Sequence, residues 1–317
     1  MSFVRAIVLF CFALHQPMLG ATTRQYKVYP YNPKPFEKHL DVSKEWNANR
    51  DQWQDKVPPL AVMKRQAELL ETLASREPKW IDGYWLTADA NFQVGNSFKD
   101  PKDFPEAKTF FLKGKASTET CLKMQPTNPL CKFYLGVNMG KIASIEGIFA
   151  SLKNAKIVEK LWLEVRDSPY DHRFSGRSTL QGADRYALGL FYRLVPDFFL
   201  MKWLFDVKGD ISKSVAFHRE NLELDGPNVC SKTMLAVSLI CEGDSKFTSK
   251  SGKEGLQQLK EARSYPVSSA LFASCAKDLD RLESSPKMAC GYETSRQQET
   301  SEEDFKKQQK NTDGNAH

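Results

Sequence analysis

The chain has 317 residues and is long enough for a sizeable core. Hydrophobic residues make up 41% and charged residues 26%, which excludes a wholly disordered or fibrous chain. The net charge of +6 is spread along the sequence, with no dense Lys/Arg run, so a nucleic-acid partner is not expected.

The first 21 residues read as an export signal. MSFVR is a short basic start, Ala6–Leu14 is apolar, and Gly20-Ala21 supply small residues for a peptidase. The apolar stretch is too short to span a bilayer, and His15, Gln16 and Pro17 interrupt it, so no membrane span is expected after cleavage. No cysteine follows the small residues, so the usual bacterial lipid-attachment pattern is missing.

Residues 22–57 form an extended segment. Pro30, Pro33 and Pro35 argue against a regular helix, and Tyr26, Tyr29, Tyr31 and Phe36 are expected to lie on the body of the protein. A short helix is predicted over Val42–Trp53. From Pro58 to residue 291 the pattern is helical. Leu60, Met63, Ala67, Leu70 and Ala74 form one apolar stripe, and Trp80–Phe92 carries the next. Helices over Pro105–Met124, 130–146 and 152–167 follow. A break over Asp167–Thr179 precedes a helix bearing Ala183, Tyr186, Ala187, Leu190 and Leu194. Small residues Ala187 and Gly189 predict close approach of a neighbour. Asp210 is the expected N-cap of a helix that buries Ile211, Val215, Leu222 and Leu224 and stops at Asp225-Gly226-Pro227-Asn228. Val229–Cys241 is apolar on most sides and reads as buried. Helices over 253–264 and 267–283, the latter with Leu271 and Phe272, complete the domain, and 292–317 reads as a disordered polar tail. Strand signals are nearly absent, so the expected fold is all-α.

Six cysteines remain after removal of Cys11, an even number that suggests disulfides in an exported chain. Cys121 and Cys131 flank one turn and can reach each other. Cys230 and Cys241 lie on one predicted helix, roughly 16 Å apart, too far to pair with each other. The pairing we favour is Cys241 with Cys290 and Cys230 with Cys275; buried free thiols are the alternative for these four.

Helix pairs close on a proline at Pro78, Pro126, Pro169 and Pro227, at spacings longer than the roughly 34 residues of a tetratricopeptide repeat. Leu188-Gly189 with Tyr192 and Leu135-Gly136 with Met139 match parts of that repeat's pattern. Tyr192-Arg193-Leu194-Val195-Pro196 followed by Gly209-Asp210 makes residues 60–285 resemble the tetratricopeptide-like T-component proteins associated with bacterial TRAP transporters. The resemblance implies an exported, periplasmic α-α superhelix of antiparallel helix pairs that binds protein partners, a solute-binding protein among them. It also implies that the first helix of each pair lines a groove, which here places Leu86, Gln93, Phe133, Val137, Tyr186 and Arg193 there.

Catalytic signatures are missing. The histidines His39, His172, His218 and His317 show no zinc-site spacing, and His172 reads as part of a solvated loop. There is no Gly-x-Ser-x-Gly elbow and no Cys-x-x-Cys pair, and Lys250–Glu254 lacks the glycine and hydroxyl of a phosphate loop. No cofactor is expected. The reading is a non-catalytic protein-binding scaffold; its alternative is a ligand-handling transporter accessory that holds a small apolar or organic molecule. One apolar insertion, with Phe198, Phe199, Trp203 and Phe205, either seals the core or docks a partner.

Overall fold

The computed structural model describes residues 24–298, apart from 54–55, 175–177, 245–246, 268–269 and 295. The expected export signal and residues 299–317 lie outside these, as do the side chains of Leu200 and Leu271. The fold is all-α. Helices α1 (Lys34–Lys38), α2 (Leu40–Gln52), α3 (Leu60–Arg76), α4 (Ile81–Ser97), α5 (Phe104–Met124), α6 (Pro129–Glu146) and α7 (Ile148–Arg166) come first. Then follow α8 (Leu180–Leu194), α9 (Phe199–Phe205), α10 (Ile211–Asp225), α11 (Val229–Glu242), α12 (Lys250–Ala262) and α13 (Ala270–Ser284). Two small sheets join them: β1 (Lys27–Val28) pairs in parallel with β2 (Tyr170–Asp171), and β3 (Tyr292–Glu293) pairs antiparallel with β4 (Arg296–Gln297).

Helix boundaries follow local chemistry. Asn128, Thr179, Asp210, Asn228 and Ser249 each accept a backbone N–H of the first turn with the side chain, meeting donors that the helix itself leaves unpaired. Asn228 and Ser231 complete a reciprocal capping box. Gly226 ends α10 at φ 74° and ψ 170°, a backbone region open essentially to glycine alone. Helix α1 includes Pro35, against the expectation of no helix near the prolines. Its missing N–H falls in the first turn, where no intrahelical partner exists.

Each helix but α9, which lies on α7, packs on a sequence neighbour, α8 pairs with α10, and α4, α6, α8 and α11 also touch one another in turn. They form an inner row flanked by the remaining helices, a packing that fits a superhelical arrangement. The row is apolar on more than one side, as burial from two directions requires. Leu130, Leu188, Met234 and Leu239 have no solvent contact or almost none. The main core joins Trp85, Phe133, Tyr134, Trp162, Leu188, Phe191 and Phe217, and a second core joins α11, α12 and α13 through Met234, Val237, Leu259 and Leu279. At Gly189 α10 comes close to α8. A Cβ there would stand 2.6 Å from the His218 ring, which bears out the expected close approach.

All three expected disulfides form, with Cα–Cα separations of 6.2 Å (Cys121–Cys131), 5.3 Å (Cys230–Cys275) and 5.0 Å (Cys241–Cys290). The first locks the α5–α6 turn, the second ties α11 to α13, and the third anchors the chain after α13. Bridges of this number are a mark of folding in an oxidising compartment. No helix among the described residues is long and apolar enough to cross a membrane.

Two segments close the ends of the inner row. Residues 24–32 form a strap across the starts of α4, α6 and α8. The Tyr29 hydroxyl donates to Asp82 Oδ1 (2.8 Å) and accepts from the Asn128 side-chain amide (2.7 Å). The Asn32 N–H donates to Asp82 Oδ2 (2.8 Å), and Asn32 carbonyl accepts from the Trp80 indole (2.9 Å). Arg185 of α8 reaches the Tyr26 hydroxyl (3.1 Å), and Arg24 donates to the carbonyls of Arg166 and Asp167 at the end of α7. The aromatic residues expected on the body are thus there, and Tyr29 is buried.

The far ends of α6, α8 and α11 are covered by residues 286–298, through Lys141 with Glu293, Arg193 with two carbonyls, and Cys241–Cys290. This corrects the expected start of a disordered tail at residue 292. Tyr292 has no solvent exposure and donates to Asp278 Oδ2 (2.9 Å), and the Gln298 N–H bonds the Gly291 carbonyl (2.7 Å). Polar composition hid a segment whose order comes from one aromatic anchor and one disulfide.

Replacing Asp82 with Ala leaves the Tyr29, Asn32 and Trp85 donors without their acceptor. The expected loss is about 2–4 kcal/mol in urea unfolding, since hydrogen bonds to a charged group contribute about 1.5–3 kcal/mol each and are not additive. Trypsin should then cut sooner after Arg24 or Lys27 in the folded protein. Unchanged stability and unchanged cleavage would show that the strap is held by other contacts.

Candidate binding surfaces

The six groove residues expected from the resemblance all lie on the inner row, but the structure separates them by environment. Leu86 is half-buried and Gln93 exposed, and both line a cleft between α2, α3 and α4. Val137 and Tyr186 are half-buried and packed against the two cores. Phe133 and Arg193 are corrections: both are buried and line no open face. Phe133 packs on Tyr134 with ring centroids 5.1 Å apart and lies near Phe174 of the loop before α8. Arg193 is 4% exposed. It donates from Nη1 to the carbonyls of Ala289 (2.7 Å) and Cys290 (3.1 Å), and burial pulls its guanidinium down to about 10. It holds the C-terminal segment instead of facing a partner. Its only sequence signal was Cys290, which had to return to the helical body to find a disulfide partner.

His172 is a second correction. The ring packs 5.1 Å from Trp85, 5.3 Å from Phe174 and 6.0 Å from Tyr29. Burial lowers its pKa, so it stays neutral in an aromatic cluster that fills the space between the strap and the inner row. The loop around residues 170–174 looked solvated because Asp, His and Arg dominate it; pairing of β2 with β1 draws it inward.

The α8–α10 interface carries a set of buried polar groups. Arg185 donates to Glu220 (2.9 Å), Gln181 (3.0 Å) and Asp184 (3.1 Å) besides Tyr26. Burial holds the Asp184 carboxyl well above the usual range, against the pull of Arg185. His218 has no solvent exposure and lies edge-on to Tyr186 at 5.8 Å; burial first, and the Arg193 charge second, push it down to about 3. It is a neutral structural histidine. Asp225 accepts from the Thr179 N–H (3.0 Å) and hydroxyl (2.8 Å) at the start of α8, and burial raises it to about 6. These groups lock two helices together. No grouping of His, Cys, Asp and Glu that could hold a metal occurs among the described residues.

The apolar insertion divides between two roles. Met201 has no solvent exposure, and Phe198 and Phe205 pack on the main core, so this side of α9 seals the body. The other side is open: Phe199 is 81% exposed and Trp203 71% exposed, with Leu204 beside them. Lys202 and Lys156 both pair with Asp206, which ties α9 to α7. Sequence could show that the stretch was apolar but not which side would be covered.

No protein-family model matches the chain, and no curated protein matches it.

The Asp225 carboxyl gives a pH signature. Its ordinary value is 3.8 and its folded value about 6. The folded state therefore holds the proton more tightly than the unfolded chain, and the charged form is a burden above pH 6. That burden is relieved as pH falls from 7 towards 4. His218, held neutral, acts in the opposite sense below about 6.5, so the comparison must be with a variant. Wild type should gain up to about 3 kcal/mol relative to Asp225→Asn between pH 7 and pH 4. Parallel stability curves for the two proteins would contradict the assignment.

Proposed function

We propose that this chain is an exported, non-catalytic scaffold that binds a protein partner, as the resemblance to tetratricopeptide-like T-component proteins implies. The observation that carries the reading is the open side of α9. Contiguous exposed aromatic residues are uncommon on monomeric proteins and mark association sites, and Trp in particular is enriched among residues that dominate binding. Here Phe199 and Trp203 sit on a helix whose opposite side is fixed in the core, so little side-chain and backbone order must be added on docking. The three disulfides support export, and a bacterial periplasm is the compartment that the resemblance implies.

The alternative, a ligand-handling accessory of a TRAP-type transporter, has weaker support. The cleft beside Leu86 and Gln93 is about 110 Å³, below the roughly 300–1,000 Å³ of pockets that enclose drug-sized ligands.

Crosslinking of the protein in its native compartment tests the scaffold reading. Wild type should give a discrete adduct with another protein, and Phe199→Ser with Trp203→Ser should reduce it at least tenfold while the urea midpoint stays unchanged. An adduct that survives both substitutions would reject α9 as the docking element. An adduct of twice the chain's own mass would identify the partner as a second copy.

A further inference from the structure

The cleft between α2, α3 and α4 has a chemistry that its size does not suggest. Its floor carries the Asp89 carboxylate. Tyr134 of α6 lies near enough to Asp89 to feel its charge, and the Gln93 amide donates to Oδ1 at 3.2 Å. A carboxylate offers about four acceptor positions, so the Gln93 donor leaves it unsaturated. No cation forms an ion pair with it among the described residues, and burial raises its pKa above the usual carboxylate value. Such a group gains from a cation brought to it, because the charged form is otherwise poorly solvated.

The walls are apolar. Trp46, Leu70 and Leu86 line the cleft together with Gln66 and Gln93. Trp46 is fixed by Phe36, with ring centroids 4.9 Å apart. Arg50 lies 5.2 Å from the Trp46 centroid, but its guanidinium pairs with Asp51 at 2.9 Å, so its charge is offset at the rim. A volume of about 110 Å³ would hold three or four waters, or a short alkyl chain of comparable bulk.

We propose that this cleft binds a primary alkylammonium group, with Asp89 as its counter-ion and Trp46, Leu70 and Leu86 around the alkyl chain. The amide oxygens of Gln66 and Gln93 supply acceptors for the remaining ammonium protons, since an ammonium presents three donors and a carboxylate satisfies one or two. A free short-chain amine and the side chain of a lysine both present this chemistry. The site does not depend on α9, so its test stands apart from that of the scaffold reading.

The experiment is a titration of the full-length exported protein with n-butylammonium chloride, followed by the NMR side-chain amide signals of glutamine and by calorimetry. Saturable shifts with a roughly millimolar dissociation constant are expected. n-Butanol, which keeps the chain and lacks the charge, should bind at least tenfold more weakly. Asp89→Asn, which keeps the shape and can still accept from the Gln93 amide, should weaken n-butylammonium at least tenfold without changing n-butanol. If Asp89→Asn fails to fold, Gln66→Trp, placed to lie across the mouth, should abolish binding instead. An Nα-acetyl-lysine amide binding as well as n-butylammonium would assign the site to lysine side chains. Its failure alongside n-butylammonium binding would assign it to free amines. Equal binding of the amine and the alcohol, or no saturable shift up to about 50 mM, would overturn the proposal.

Discussion

A buried carboxylate must have its acceptors filled, and the way Asp82 meets that demand organises one end of the molecule. It sits in the first turn of α4, where the helix dipole favours a negative charge, and it is 4% exposed. Trp85 of its own helix fills one position, and Tyr29 and Asn32 of the strap fill others. The Tyr29 hydroxyl then accepts from Asn128, which is itself the N-cap of α6. One carboxylate therefore joins the starts of two inner helices to a segment some fifty residues earlier in the chain. The β1–β2 pairing, the aromatic packing of His172 and the reach of Arg185 to Tyr26 all depend on the strap lying where Asp82 holds it.

The opposite end uses different physics for the same purpose. Arg193 is a buried cation that meets two backbone carbonyls in place of a carboxylate, and the Cys241–Cys290 bridge holds those carbonyls near it. Lys141 with Glu293 and Tyr292 with Asp278 complete the closure. A superhelix of helix pairs leaves helix ends and an inner face without covering, and repeat proteins cap such surfaces with atypical terminal units. Here extended segments from both ends of the domain do that work. The inner row is consequently more filled than a groove made only of repeats would be, which moves the candidate association surface outward to α9.

The two candidate sites differ in what they ask of a partner. The exposed side of α9 offers apolar area and little charge selectivity, because its neighbouring lysines are already paired with Asp206. The Asp89 cleft offers little area and one uncompensated charge. The first suits a protein surface, the second a single functional group. Neither contains a nucleophile next to a base, and the buried titratable groups between α8 and α10 are committed to packing.

The sequence by itself determined the helical class, the main helices and their stops, because apolar spacing, N-caps and the Gly-Pro turn act over a few residues. It narrowed the disulfide partners, since a single helix forbids Cys230 from meeting Cys241, but the choice among the remaining pairings came from the tertiary packing of α11 against α13 and the segment after it. It could not determine which inner-row residues would stay open. Phe133 and Arg193 have the spacing of groove residues, but loop 170–174 and the segment after α13 fold over them, and that covering is long-range. The same limit hid the order of Tyr292 and Glu293, whose partners Asp278 and Lys141 lie on other elements. Asp89 gave no sequence signal at all. A carboxylate on a helix is ordinarily solvated, and only the approach of α2, α3 and Tyr134 removes water from it without supplying a cation.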